Sequence, residues 1–248
     1  MSIVLTHERP GAQPAWRIPA ALRQQLIEVL SAPPELATLK MTYDEFLAWA
    51  DEDTLAEWVD GEVVMSSPAS NRHQDIADFL VSVLRPFVEA RQLGVVRSAP
   101  FQMKLEHGRE PDLLFVAREH LDRLQATHLD GPADLVVEII SPESAGRDRG
   151  EKFYEYAQGG VPEYWLIDPD SRWAEFYQLN EGRYRLAFEG RDGEYHAVAL
   201  RGFWLRVEWL WQEPLPEVDA VLLEVGGAVY ARRLIEQLRE KGFLPAES

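Results

Sequence analysis

Cysteine occurs nowhere in the 248 residues, which excludes disulfides, thiolate nucleophiles and Cys-ligated zinc or iron–sulfur sites. Its absence suits a reducing compartment, and the expected location is the cytoplasm. Long apolar runs are missing too. A membrane helix needs roughly 18 such residues, but Leu135-Val136-Val137 is cut at once by Glu138. Met1 to Gly11 lacks the basic start and apolar stretch of a secretory signal, so no membrane association is expected. Positive charge is also scarce, with 25 Lys and Arg against 42 Asp and Glu and a formal net charge of −17. The deficit is local: residues 1–40 carry +1 and 219–248 carry −1, so 41–218 hold the whole excess. Such a field repels polyanions at long range and counts against tight, non-specific nucleic-acid binding. It does not count against a local cation site, because clustered carboxylates are what a hard cation requires.

What is present fits a chain able to bury a sizeable core, with 46% hydrophobic and 27% charged residues. Residues 1–40 are rich in proline and contain one short helical pattern, Ile18 to Leu30; they read as an N-terminal extension. Residues 41–210 read as the main domain and 211–248 as a helical tail. Within the tail, an amphipathic pattern from Val218 to Gly242 is interrupted at Gly226-Gly227.

Thr42 with Glu45 three residues on forms a capping box that starts a helix running to about Ala50. Asp60-Gly61 between Glu57-Trp58-Val59 and Glu62-Val63-Val64-Met65 signals a tight hairpin. Ile76, Phe79, Leu80, Val83 and Phe87 recur at helical spacing and predict a helix from Asn71 to Gln92, with Pro86 as a kink point. From Gly94 the pattern turns to strand, with segments at 95–97, 101–105, 112–117 and 134–141. A helix follows from Asp148 to Gln158, then a buried strand at 163–167 and later strands at 172–179, 183–188, 194–200 and 203–209. The apolar runs Leu113 to Val116 and Leu135 to Ile140 suit central strands covered on both faces. The expected fold class is α/β, a mixed central sheet flanked by helices.

Three charged residues stand where packing gives no reason for them. Asp112 heads an apolar strand, Glu138 lies inside the most buried-looking run, and Lys152 sits near the start of the next helix, one turn before Tyr156. A buried carboxylate is costly unless paired or bound to metal. Two carboxylates from neighbouring strands can hold one Mg²⁺ or Mn²⁺, with waters and a phosphate completing the shell. A nearby lysine can neutralise charge on a transferring phosphoryl group. The alternative is a structural ion pair between Glu138 and Lys152 or an arginine.

Pro111-Asp112-Leu113, Val137-Glu138-Ile139-Ile140-Ser141-Pro142, Lys152 and Gly160-Val161-Pro162-Glu163-Tyr164-Trp165-Leu166-Ile167-Asp168-Pro169 resemble, in this order, the motifs of Uma2-like (DUF820) proteins. Glu62 after Asp60-Gly61 and the His73-Gln74 region add to the likeness, which covers about residues 41–210. That family is classed with the PD-(D/E)XK restriction-endonuclease-like superfamily. The resemblance implies a restriction-endonuclease-like fold, with Asp112 and Glu138 as catalytic, metal-binding acids. Ile140 occupies the position of the superfamily lysine; in Uma2-like proteins the basic residue moves to the following helix, where Lys152 stands. Glu62 is a candidate third metal acid or a solvated strand residue, and His73 a substrate-binding residue or a helix-end hydrogen bonder. Arg147 and Arg149 could meet phosphates or form a solvated helix start.

The resemblance therefore implies a Mg²⁺- or Mn²⁺-dependent endonuclease acting on DNA, and a homodimer, as is common among such proteins. A catalytically silent binding or assembly module on the same fold is the alternative, favoured by the acidic balance and the displaced lysine. A glycosidase with Asp112 and Glu138 as paired acids is chemically conceivable, but no other sequence feature favours it.

Overall fold

The computed structural model describes residues 40–50, 54–65, 69–142 and 144–245; the helical pattern at Ile18 to Leu30 lies outside them. Helix α1 (Tyr43–Trp49) begins at the expected capping box. Glu45 accepts from the Thr42 amide at 2.9 Å, and the Thr42 hydroxyl accepts from the Glu45 amide at 3.3 Å. Strands β1 (Ala56–Val59) and β2 (Glu62–Met65) form the hairpin. Asp60 and Gly61 both have positive φ, 51° and 87°, as the favoured two-residue turn demands.

Helix α2 (Asn71–Arg91) is capped by Ser70, whose hydroxyl accepts from the His73 amide. It continues through Pro86 as one helix, where the sequence suggested a kink. Next come β3 (Gly94–Ser98), β4 (Gln102–Lys104), β5 (Gly108–Arg109), β6 (Leu113–Ala117), β7 (His128–Asp130) and β8 (Leu135–Ile139). A short α3 (Ala145–Asp148) and then α4 (Glu151–Gly159) lead to β9 (Glu163–Asp168), β10 (Trp173–Asn180) and β11 (Arg183–Gly190). The described chain ends with β12 (Glu194–His196), β13 (Trp204–Arg206) and helix α5 (Val218–Glu240).

The main sheet runs β11-β10-β9-β8-β6-β3, with β8 and β9 parallel and the other neighbours antiparallel. The parallel pair requires a crossover, and α3 with α4 supply it. This crossover carries Lys152 over the sheet. β4 does not join the main sheet; with β1, β2, β5 and β7 it builds a second sheet, β2-β1-β5-β4-β7.

One face of the main sheet, including Leu113, Val137, Trp165 and Phe176, packs on α2 and on Val221, Leu222 and Val225 of α5. The other face, including Leu114, Val136, Tyr164 and Leu166, packs on Tyr156 and Ala157 of α4. Trp165 is fully buried, and removing a side chain of that size from water is worth roughly 3 kcal/mol.

The strands expected at 194–200 and 203–209 are shorter. Arg201-Gly202 turns the chain, with Gly202 at φ 82°, and Val207–Trp211 tighten into a 3-10 helix that buries Val207, Trp209 and Leu210. Apolar residues at i, i+2 and i+3 meet the core from one short helical turn as well as from a strand, so alternation could not separate the two. In α5 the interruption expected at Gly226-Gly227 appears as a kink, with Gly227 at φ 55° and ψ −148°. No described helix is long and apolar enough to cross a membrane.

Candidate active site

A cleft of about 320 Å³ opens beyond the start of β6 and the end of β8. It is bounded by Glu57 of β1, His73 and Gln74 at the start of α2, and Ala99 and Pro100 after β3. Glu110 and Asp112 contribute from the approach to β6, Glu138 and Ile139 from β8, and Arg147 and Lys152 from the crossover. Three of the sequence candidates, Asp112, Glu138 and Lys152, therefore meet in one place, and His73 joins them.

Leu113 pairs with Val137 across the antiparallel β6–β8 ladder. Continuing that register by one residue sets Asp112 opposite Glu138, and directly opposed residues project on the same face. That face is the one covered by α4. Asp112 Oδ2 accepts from the Ile139 amide at 2.6 Å, and Oδ1 lies 2.9 Å from His73 Nε2. Both oxygens are thus oriented by fixed partners. Burial works against the imidazolium of His73, but the Asp112 hydrogen bond and charge outweigh it and raise its pKa.

Glu138 is 3% exposed. Its Oε1 accepts from Lys152 Nζ at 3.0 Å and from the Tyr156 hydroxyl at 2.7 Å. Tyr156 follows Lys152 by four residues, so one helix face presents both donors. Lys152 Nζ also lies 2.9 Å from Glu57 Oε1 and 3.3 Å from Asp148 Oδ1, the latter an ion pair without hydrogen-bond alignment. Burial alone would discharge the lysine, yet Glu138, Glu57 and Asp148 hold its pKa well above the ordinary value. Glu138 is lifted well above the carboxylate range by burial, which outweighs Lys152; Asp148, Asp112 and Glu57 add to the rise.

Four contributors were not visible in the sequence. Glu57 is the acid the hairpin delivers to the cleft. Burial would lift its pKa, but Lys152 and Arg109 outweigh that and lower it. Arg109 is 1% exposed and bridges Glu57 Oε2 at 3.1 Å to Glu155 Oε2 at 2.7 Å. Glu110 is pushed by burial up to about 7, against a hydrogen bond from Gln102. Asp148 is raised by burial despite Lys152. Its i, i+4 spacing from Lys152 was the one available clue. Glu62, the other acid of the hairpin, is not brought to the site. It pairs with Val59 next to the turn of edge strand β2 and does not line the cleft.

Around the cleft, Glu57, Glu110, Asp112, Glu138 and Asp148 outnumber the full cations of the described residues there, Lys152, Arg109 and Arg147, and Glu155 claims part of Arg109. Protons relieve the imbalance at Glu110, Glu138 and Asp148, where pKa values are raised. A divalent cation would relieve it equally well, so the donor chemistry fits Mg²⁺ or Mn²⁺. No three described His, Asp or Glu side chains form a closed metal cage. Mg²⁺ needs none, since one or two carboxylates with waters and substrate oxygens satisfy it.

Sheet order, crossover and cleft together define an α/β protein of restriction-endonuclease-like fold. Residues 43–208 match the model of the Uma2 family, described as "Putative restriction endonuclease". The chain belongs to the Uma2 family. Among solved structures it is similar to "a putative nuclease belonging to DUF820" from Anabaena variabilis ATCC 29413, with a TM-score of 0.60 and 20% identity. That match covers 69% of this chain and 97% of the other and shows a shared fold. No curated protein matches the chain.

Proposed function

We propose that this protein is a divalent-metal-dependent endonuclease that hydrolyses phosphodiester bonds in DNA. One observation carries the reading. Asp112 and Glu138 face each other across adjoining strand ends in one cleft, with the Lys152 ammonium 3.0 Å from Glu138. Asp112 and Glu138 would hold Mg²⁺ or Mn²⁺, and Glu57 replaces Glu62 as the supporting acid. When bound, the ion supplies Lewis-acid polarisation of the phosphoryl group and a more acidic water. The protein's own groups do the rest. The Ile139 amide and His73 fix the Asp112 carboxylate. Lys152 keeps a positive charge beside Glu138, where it offsets charge growing on the phosphoryl oxygens. His73 is the candidate substrate-binding residue, reaching the cleft from the N-terminus of α2. Membership of the Uma2 family and likeness to a DUF820 protein support the assignment.

The test is DNA cleavage by the purified protein with Mg²⁺ or Mn²⁺. Asp112→Asn and Glu138→Gln should abolish it while melting as cooperatively as the parent. If both variants cut DNA at the parent's rate, the assignment is wrong.

A catalytically silent binding module is the second reading, favoured by the three carboxylates that enclose Lys152. Such a module would neither cleave DNA nor gain stability from divalent ions. We further read the protein as a cytoplasmic homodimer. Val229 and Ile235, exposed beyond the Gly227 kink of α5, offer an apolar face that a two-fold partner could cover. A monomer mass in sedimentation equilibrium would refute the dimer.

A further inference from the structure

We propose that Arg147 is the residue that holds a substrate phosphate in this cleft, an inference that rests on the nuclease reading. The cations there differ in how far acids already neutralise them. Lys152 contacts three carboxylates, and Arg109 bridges Glu57 and Glu155. His73 is bound to Asp112. Each of these is already engaged by at least one carboxylate before an anion enters the cleft. Arg147 also lines the cleft, yet it forms no ion pair with a described acid, and its Nε is buried without a hydrogen-bond partner among the described residues.

Arg149, two residues on, shows the contrast. Its guanidinium turns away to Glu175 at 2.9 Å and Asp168 at 3.6 Å, outside the cleft. The same turn of chain thus sends one arginine to a structural pair and leaves the other facing the cleft. A buried N–H without an acceptor is costly, so an acceptor arriving from outside is the natural complement. Guanidinium Nε and a terminal nitrogen form a planar fork matching two non-bridging phosphate oxygens.

The backbone beneath is built to hold that fork still. Ser144 Oγ accepts from the Ser141 amide at 3.0 Å, Ser141 Oγ accepts from the Ser144 amide at 3.1 Å, and the Arg147 amide donates to the Ser144 carbonyl at 2.8 Å. The phosphate is that of a nucleic-acid strand. A free inorganic phosphate would meet the same fork, and the experiment separates the two.

The test measures binding of a fluorescent single-stranded deoxyoligonucleotide to the full chain across a salt series with Mn²⁺, with excess inorganic phosphate as competitor. Arg147→Gln should weaken binding about tenfold and lower the slope of log affinity against log salt by about one. Arg147→Lys should restore the slope but not the full affinity, because a point charge lacks the fork. Arg149→Gln, which changes net charge identically, controls for the overall field and should leave both quantities as in the parent. Equal affinity and slope in the parent, Arg147→Gln and Arg149→Gln would overturn the inference and leave the nuclease reading standing. A parent that neither binds nor cleaves DNA would overturn both. Inorganic phosphate that displaces the oligonucleotide at equimolar concentration would overturn the strand assignment.

Discussion

The Lys152 ammonium lies 3.0 Å from the Glu138 carboxylate, although the two side chains come from a helix and a strand fourteen residues apart. The resemblance to restriction-endonuclease-like proteins implies a lysine at the position of Ile140, which here is a buried residue just past the end of β8. The crossover makes up the loss. Because β8 and β9 are parallel, the chain must pass over the sheet between them, and α4 packs its Tyr156 face onto Val136 and Tyr164. That packing returns a positive charge to the strand end from which the sequence had removed it.

Lys152→Met should therefore be severely destabilising. It leaves Glu138, Glu57 and Asp148 with no ammonium between them, and removing one partner from a buried ionic cluster costs about 3–5 kcal/mol. Glu138 and Asp148 have raised pKa values, so mild acid neutralises them and shrinks the penalty. Urea unfolding of parent and variant should give a difference larger at pH 8 than at pH 5. Equal differences at both pH values would mean that Lys152 acts through packing alone.

Divalent ions should stabilise the parent and not Glu138→Gln. A ligand bound only to the folded state at a hundredfold over its Kd adds about 2.7 kcal/mol, which a thermal melt with Mn²⁺ resolves easily. Without metal, Glu138→Gln should melt at or slightly above the parent. The amide can still accept from the Tyr156 hydroxyl and Lys152, and it stays neutral in the buried site without needing a proton. A variant that keeps the full Mn²⁺ shift would remove Glu138 from the cation site.

Much of the fold was legible because local chemistry and burial pointed the same way. The Thr42–Glu45 box, the Asp60-Gly61 turn and the apolar runs of β6, β8 and β9 each sit where their residues ask to be. Asp112 and Glu138 stood out because carboxylates interrupt or head those runs. The sequence pointed to Glu62 and passed over Glu57, and nothing local to their short hairpin corrects that choice. What separates them is the pairing of Trp58 with Gly108 and the reach of Arg109 to Glu57, both spanning about fifty residues. No pattern in the hairpin encodes a partner that far away. The second sheet escaped notice for the same reason, because strands of two to four residues carry too little periodicity to show which sheet they join.

His107 should make stability pH-dependent beside the Arg109–Glu155 pair. Its Nδ1 lies 2.9 Å from Glu155 Oε2, and its Nε2 lies 3.1 Å from Asp60 Oδ1. Burial lowers its pKa, but the hydrogen bonds to the two acids outweigh burial and leave it above the ordinary 6.5. A base with a raised folded-state pKa stabilises fully below its unfolded value and loses that contribution as pH rises through the folded one. His107→Gln should consequently lower the melting temperature more at pH 6 than at pH 8.5. An equal loss at both would show that the imidazole is neutral throughout.

Glu110 should give the opposite comparison. Burial lifts its carboxyl from 4.5 to about 7, so between those values the folded chain holds a proton that the unfolded chain has released. Stability from this group therefore falls as pH rises from about 4.5 to 7 and stays low above that. The full effect is on the order of 3 kcal/mol. Glu110→Gln keeps the side chain's shape and removes the titration. In metal-free buffer the variant should match the parent near pH 4.5 and exceed it above pH 7, as read from denaturant midpoints at constant slope. A parent–variant difference that does not change between pH 4.5 and pH 8 would show that Glu110 ionises as it does in water and adds nothing to the surplus charge of the cleft.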